Sequence, residues 1–591
     1  MLSLGIQAFS QSEEVNLQIK QVENNLIPFV PVKGFKGWNI LDRMKYYQVP
    51  GLSIAVIKNY KIDWAKGYGI ADTTLQIPVT IKTMFSAGSI SKFLLAVTAF
   101  KMTETGMINL DNPVNNYLTS WQVAENDFTK RTPITLKMLL SHTAGTSQAS
   151  YFGFTPTQLL PTILEILNGD KMSTTRPVIV NSEPNKEFRY SGGGSMIAQL
   201  TLMDVSKQTF HSLAQNHIFD KLEMKNSTFE QPVPSKFEKQ TAWAYSSASW
   251  FKGMPYVYPQ QAAAGLYTTP TDLAKFFIDV QKSYIGKGKI LSQSAAKQLL
   301  TPQQTVSDGT YKEQIGIGPF LIQRSDNQEV AGTYFEFTGV NAGFLAYGIA
   351  SITNGNGVVI MLNSGDDVNG LGKELRRAVA KVYEWTNFLP DELIPVDLTD
   401  AELNKFTGRY RMSENEVLYL RKENNYLIEN INEGNDIYCF PIKKDTIVFT
   451  DYNVKAGFKF NDNGEVVSLL HIPVIFHRII HGFTKSLNVF IFPIFISPIM
   501  IYLRNFRNIF IGKYFILSCY QCPRFSGINE QDFFFTVSKF TIGSISSQKP
   551  QTRWNLGVKE QLRWKSHHTI DHPIQNHILP DLILTSRVGS H

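Results

Sequence analysis

The residues with the clearest capacity for chemistry stand in MFSAGSISKFLLAVTAF, Met84 to Phe100, where Ser89 is followed at i+3 by Lys92 and then by an apolar run with helical spacing. Residues three apart on a helix share a face one turn apart, which places an uncharged Lys92 amine to accept the Ser89 hydroxyl proton. A helix N-terminus and a partly desolvated cleft both disfavour the ammonium and draw the lysine toward a working pKa. The same pattern fits a serine that merely caps a helix carrying a lysine, and by itself it leaves both readings open.

Periodicity outlines the elements that must hold these residues. GLSIAVIKNYKIDWAKGYGIAD, from Gly51, alternates apolar and polar positions around Asn59-Tyr60 and predicts a β-hairpin. Met84 to Thr105 switches to helical spacing and ends at Gly106. From about 107 to 325, helical stretches such as PTQLLPTILEIL and TPTDLAKFFIDVQKSY alternate with Gly, Pro and Ser-rich loops. Strands return in YFEFTGVNAGFLAYG and GNGVVIMLNSG, followed by the helical LGKELRRAVAKVYEW. That order predicts a sheet of the α/β or α+β class with a helical insertion between its strands. EVLYLRKENNYLIE, DTIVFTD and GFKFNDNGEVVSLLH then predict a small all-β domain over about 400–473, with a turn at Asp462-Asn463-Gly464.

A chain of 591 residues exceeds what one hydrophobic core usually supports. Its formal charge of +7 is not spread evenly. Residues 474–591 hold 13 Lys+Arg against 5 Asp+Glu, which leaves 44 against 45 for the rest. No concentrated basic face or recognition motif accompanies the charge, so nucleic acid is not an expected partner. Three cysteines, Cys439, Cys519 and Cys522, exclude a disulfide framework. The start, MLSLGIQAFSQSEEVN, resembles the end of a secretory signal without a basic n-region, so residues 1–30 are expected to be a leader and the location periplasmic or secreted. The tail, 474–591, contains an apolar stretch at 487–503 with Pro493 and Pro498 inside it. It reads either as a membrane anchor or as a segment without a selected fold.

Several segments in order resemble the serine β-lactamase and penicillin-binding-protein family, in the branch that includes class C β-lactamases, DD-peptidases and family VIII esterases. They are VPGLSIAVIKNYKIDWAKGYGIAD, SAGSISKFLLAVTAFKMTETGMINLDNPVNNYL, ITLKMLLSHTAGT, FRYSGGGSMIAQL and AAGLYTTPTDLAKFF, and the similarity runs from about Gly51 to Asn387. The resemblance implies a β-lactamase-like fold over 31–390: an antiparallel sheet flanked by helices, with an all-helical insertion at about 107–325. The segment opened by FTGRY, Phe406 to Tyr410, resembles the lipocalin-like domain appended to some of these hydrolases, and implies a small C-terminal β-barrel before the atypical tail.

Residue by residue, the resemblance makes Ser89 the nucleophile and Lys92 and Tyr190 the groups that move its proton. In the family's Tyr-x-Asn motif Gly192 replaces the asparagine, and in its Lys-Thr-Gly motif, here Phe337-Thr338-Gly339, a phenylalanine replaces the cation. Gly192, Phe337, Thr338 and Gly339 are therefore the expected substrate-binding positions, with a substrate that needs no cation for a carboxylate. The backbone N–H groups of Ser89 and Val340 are the expected oxyanion hole. His142 belongs to a structural turn in the family, and His211 and His217 have no partner pattern. No metal-binding spacing occurs, and neither a metal nor another cofactor is expected. The expected activity is hydrolysis of an ester, a D-amino peptide or a β-lactam-like amide through an acyl-enzyme. The alternative is a non-catalytic cell-envelope binding protein of the same fold, which gives no reason to keep Ser89, Lys92 and Tyr190 together.

Overall fold

In the computed structural model, the structure describes residues 13–478, apart from 250, 327–328, 367–369, 414–415, 433–435, 452 and 472–473. All of these lie in one compact unit. The eleven strands of the first part are β1 (Gly51–Lys58), β2 (Lys61–Asp72), β3 (Ile77–Pro78), β4 (Phe85–Gly88), β5 (Leu266–Thr268), β6 (Gln304–Asp308), β7 (Tyr311–Ile315), β8 (Phe320–Arg324), β9 (Tyr334–Asn341), β10 (Phe344–Ser351) and β11 (Gly357–Leu362). Nine form one sheet in the order β3-β2-β1-β11-β10-β9-β8-β7-β6, and β4 pairs with β5 alone. Every described pairing in the large sheet is antiparallel. The β1–β2 hairpin turns at Asn59-Tyr60, both with positive φ (52° and 61°), the primed geometry that matches strand twist.

Both faces of the sheet are covered, which is why β1, β10 and β11 read as continuous apolar runs rather than alternating ones. One face buries Ile57, Phe335, Phe337 and Ala346 against the helix Ser91–Glu104 and its neighbours. The other buries Leu52, Ile54, Leu345 and Ile360 against helices Glu13–Glu23, Ile40–Tyr46 and Leu371–Val382. Between β4 and β6 the chain is mostly helical, from Ser91–Glu104 to Gln293–Leu299, but β5 also lies there and pairs with β4, so the expected insertion is not all-helical. This insertion ends earlier than its expected limit near residue 325, because β6, β7 and β8 already belong to the sheet.

Two other expected boundaries change. A leader reaching residue 30 does not hold for residues 13–30: Ile19, Val22 and Leu26 are buried in the core beneath the sheet, so this segment is part of the fold. Residues 1–12 lie outside the described residues. At the other end, β12 (Gly408–Arg411), β13 (Val417–Glu423), β14 (Tyr426–Ile431), β15 (Ile437–Lys443), β16 (Thr446–Phe449), β17 (Val454–Phe460), β18 (Val466–His471) and β19 (Val474–Arg478) close an up-and-down barrel. Closure comes from β12 pairing with β19 at Tyr410↔Arg478 and Arg411↔His477, so the first residues of the expected tail complete the barrel. Its interior is packed by Leu418, Leu427, Cys439, Phe449 and Phe458. The apolar stretch at 487–503, Cys519, Cys522 and the rest of the tail lie outside the described residues, among which no helix is long and apolar enough to cross a membrane.

The barrel is bonded to the first part through backbone and side chain: Val30 N–H donates to Thr450 O at 2.9 Å, Val396 N–H to Pro441 O at 2.9 Å, and Tyr46 OH to Asp436 O at 3.0 Å. Beside this seam lies a buried ion pair. Arg43 Nε donates to Glu374 Oε2 at 2.8 Å, Arg43 Nη2 pairs with Glu374 Oε1, and Tyr47 OH donates to the same oxygen at 2.7 Å. Removing one member leaves the other charge buried without its partner. Glu374→Ala is expected to lower unfolding stability by roughly 3–5 kcal/mol, read as a shift of the urea midpoint; a loss below about 1 kcal/mol would show that the pair is hydrated.

Candidate functional site

β4 runs into the helix Ser91–Glu104 through a tight junction at Gly88-Ser89-Ile90. Of the residues from Thr83 to Phe100, Ser89 alone is not buried. The capping alternative does not describe it: the helix N-cap is Ile90 and no side chain caps this terminus. Ser91, two residues on, is spent on structure, donating to Gly88 O at 2.6 Å and accepting from Leu266 N–H at 3.0 Å. Ser89 instead receives Lys92, whose Nζ lies 3.0 Å from Ser89 Oγ.

Lys92 is 5 % exposed and donates a second hydrogen bond, 2.6 Å, to Ala263 O. Burial lowers its pKa from 10.5 to about 7, because the ammonium has lost its hydration. An amine with this value is substantially uncharged at neutral pH and has a lone pair to offer the hydroxyl. Tyr190 closes the third side, with Lys92 Nζ 5.0 Å from its ring centre. Burial raises the Tyr190 pKa, and the neighbouring Ser89 hydroxyl offsets only part of the rise, so at neutral pH it is a phenol rather than a phenolate. The three residues singled out from the sequence are thus brought together, from two different helices' N-terminal ends.

β9 runs along the junction that carries Ser89. This strand pairs with β10 along its full length, Asn341↔Phe344 to Tyr334↔Ser351, whereas β8 accompanies it only over Tyr334, Phe335 and Glu336. The edge of residues 337–341 is therefore open toward Gly88 and Ser89. The approach is close enough to demand glycine on both sides. A Cβ on Gly339 would sit 1.8 Å from Ala87 O, and one on Gly88, where φ is +51°, would sit 2.8 Å from Val340 N. Val340 itself is 48 % exposed at the rim.

Two expected substrate-binding positions are covered. Phe337 is 1 % exposed and meets Phe320 edge-on at 5.5 Å; Phe320 in turn packs against Phe188 at 5.8 Å and stacks on Tyr190 at 6.5 Å. The side chain at 337 is a core residue in a row of rings, not a surface offered to a ligand. Gly192 is buried at the start of the helix Gly192–Ser206, and a Cβ there would meet Tyr151 Cε2 at 3.0 Å. Thr338 is half-buried between Phe337 and Gly339.

His142 takes a structural place, as expected. Its backbone is left-handed (φ 56°), its Nδ1 accepts from Ser191 N–H at 3.2 Å, and burial with the nearby Lys92 lowers its pKa to about 3. It stays neutral, holding the start of the Tyr190 helix. His211 lies 3.4 Å from Glu230 in a separate cavity of about 310 Å³ that includes none of the site residues. His217 sits in the π-helical turn Gln215–Phe219. Among the described residues no group of three or more His, Cys, Asp or Glu is placed to hold a metal. The sequence reading missed the Ala263 carbonyl, although AAGLYTTPTDLAKFF was already marked as a family-like segment; a backbone acceptor leaves no side-chain signal.

Residues 39–383 match the family described as Beta-lactamase. Among curated proteins, the chain is 26 % identical over 239 residues to the teichoic acid D-alanine hydrolase of Staphylococcus aureus, covering 40 % of this chain and 56 % of that protein. It is 23 % identical over 256 residues to Protein flp of Staphylococcus aureus strain MW2, covering 42 % and 49 %. The chain thus spans about half the length of the curated relatives it matches. Among solved structures, the octameric penicillin-binding protein homologue from Pyrococcus abyssi superposes with a TM-score of 0.54 at 21 % identity, over 74 % of this chain and 98 % of that one, a likeness of fold.

Proposed function

The chain belongs to the beta-lactamase family, and on that premise we propose that it is a serine hydrolase which cleaves an ester or amide through an acyl-enzyme on Ser89. The observation that carries the reading is the single accessible serine of an otherwise buried strand-to-helix junction, 3.0 Å from a lysine whose burial lowers its pKa to about 7, so that a large share is uncharged near neutral pH. In the proposed cycle Lys92 takes the Ser89 proton as Oγ attacks the carbonyl carbon, and the N–H groups of Ser89 and Val340 hold the oxyanion. Tyr190, as a neutral phenol, hands a proton to the leaving group and is restored from Lys92. Water then enters by the same proton route in reverse and releases the acid.

The absence of a cation at Phe337 and the aromatic row behind it favour a substrate whose scissile carbonyl has no carboxylate beside it. The D-alanine hydrolase among the relatives makes a D-alanyl ester the first natural-type substrate to try, and a cell-envelope or extracellular site of action belongs to the same proposal. The test is reaction with a fluorophosphonate, followed by intact mass and peptide mapping. One adduct per chain on Ser89 is expected, together with turnover in a panel of p-nitrophenyl acetate, D-alanyl esters, D-Ala-D-Ala peptide and nitrocefin. Neither adduct nor turnover of any panel member would leave the envelope-binding alternative standing.

A further inference from the structure

Asn341 lies at the end of β9, next to Val340, and is 6 % exposed. Its Nδ2 donates both hydrogens to buried oxygens, 2.7 Å to Ser86 Oγ and 2.9 Å to Ala264 O. The amide cannot be turned round, because Ala264 O is an acceptor only and must face the NH₂. These two bonds join three pieces of backbone. Ser86 is in β4, three residues before Ser89; Ala264 follows the carbonyl that accepts from Lys92; and Asn341 itself follows the N–H expected to hold the oxyanion. The short helix Gln261–Ala264 is fixed from its other side by Gln199, whose Oε1 accepts from Ala262 N–H at 2.8 Å. Gln199 belongs to the helix that begins just after Tyr190.

We infer that Asn341 is a positioning residue of the reaction, and Gln199 its counterpart, which together lock the Ala262–Ala264 turn so that the Ala263 carbonyl orients the Lys92 amine toward Ser89 while β9 stays seated against the nucleophile. The physical reason lies in the geometry of an amine. A neutral Lys92 has two N–H bonds and one lone pair, free to rotate about the last C–N bond. Donating one N–H to Ala263 O confines that rotation and leaves the lone pair for the Ser89 hydroxyl. The carbonyl can do this only if its own turn is fixed, and besides the bond from Lys92 the turn is held by those to Asn341 and Gln199. The groups with charge or titratable protons around the turn are Lys92, Tyr190 and His142 on the nucleophile side, Tyr256 and Tyr258 packed against Ala264 and Ala342, and Tyr267 beyond Ser86.

The inference rests on the proposed roles of Ser89 and Lys92, and the experiment keeps the two apart. Asn341→Ala and Gln199→Leu are compared with wild type on p-nitrophenyl acetate, with active sites counted by fluorophosphonate. Per active site, kcat is expected to fall about 100-fold in Asn341→Ala and about 10-fold in Gln199→Leu, with KM within threefold, as a base misplaced by an ångström loses rate rather than binding. Because the bond to Ala263 O favours the ammonium, loosening it should also move the acid limb of the kcat profile toward lower pH in both variants. A merely structural role reduces the number of active sites and leaves kcat per site and the limb unchanged, and that result overturns the inference. Should Asn341→Ala not fold, Gln199→Leu decides by the same readouts. Failure of the wild type to react at all would instead remove the hydrolase reading.

Discussion

Lys92→Met is expected to lower kcat for ester hydrolysis by roughly 1,000-fold, the scale of a general base, and to slow fluorophosphonate reaction at Ser89 in proportion. Methionine has nearly the length and volume of the lysine stem, so the loss reports the amine and not a cavity. The pH profile gives the sharper readout. The active form of Lys92 is the free base, and its pKa in the folded protein is about 7. Wild-type kcat/KM should therefore rise with pH through about 7, while the residual rate of the methionine variant should lack that limb.

Stability should move the opposite way. The folded chain holds the Lys92 proton with a pKa of about 7 and the unfolded chain with the ordinary 10.5. Between these values the unfolded state binds more protons, so wild-type stability rises with pH across that window, and below it the full cost of burying the ammonium remains. Lys92→Met removes the cost and the window together. Thermal unfolding at pH 7 should show the inactive variant more stable by roughly 1–3 kcal/mol. A variant equally stable at pH 7, with the wild-type acid limb retained, would mean that Lys92 is neither desolvated nor the base.

Gly339→Ala carries the second large effect. Its Cβ would lie 1.8 Å from Ala87 O, a backbone atom of the strand that leads to Ser89, and neither side has a flexible end that can yield. β9 and β4 must separate, and Val340 N–H moves away from Ser89 with them. Loss of one oxyanion donor costs on the order of 100-fold in kcat, and overpacking costs about 1–3 kcal/mol of stability. Ester kinetics and urea unfolding on the same preparation measure both. Wild-type kcat in a folded Gly339→Ala would place the oxyanion elsewhere than between these strands.

Much of the frame was legible because local rules and global fold agree in it. The β1–β2 hairpin followed from alternation and a turn that tolerates positive φ, and the barrel strands followed from short alternating runs. Boundaries were less legible. β6 to β8 resembled more of the mixed insertion, since Gln304–Asp308, the edge strand, and its neighbour Tyr311–Ile315 are largely exposed or half-exposed, without a strong apolar signature. The helix Glu13–Glu23 resembled a leader, since a face that buries only Ile19 and Val22 carries little hydrophobic signal over eleven residues. β19 was hidden in a tail whose composition differs from the barrel it closes.

At the site, the residue types of Ser89 and Lys92 left two readings open, and it was the family resemblance of several ordered segments that singled out Ser89, Lys92, Tyr190 and Gly339. What the sequence could not determine were the properties created by neighbours far along the chain. Lys92 has a lowered pKa only because the fold strips its water away, and the fold also brings the Ala263 carbonyl to it. Phe337, which by position faces a substrate, is withdrawn into a row with Phe320, Phe188 and Tyr190. Asn341 reads as an ordinary strand-end asparagine until Ser86 and Ala264 are brought to its two hydrogens. Chemistry of the groups is written in the residue types; desolvation and aim are long-range, and only the packed tertiary structure supplies them.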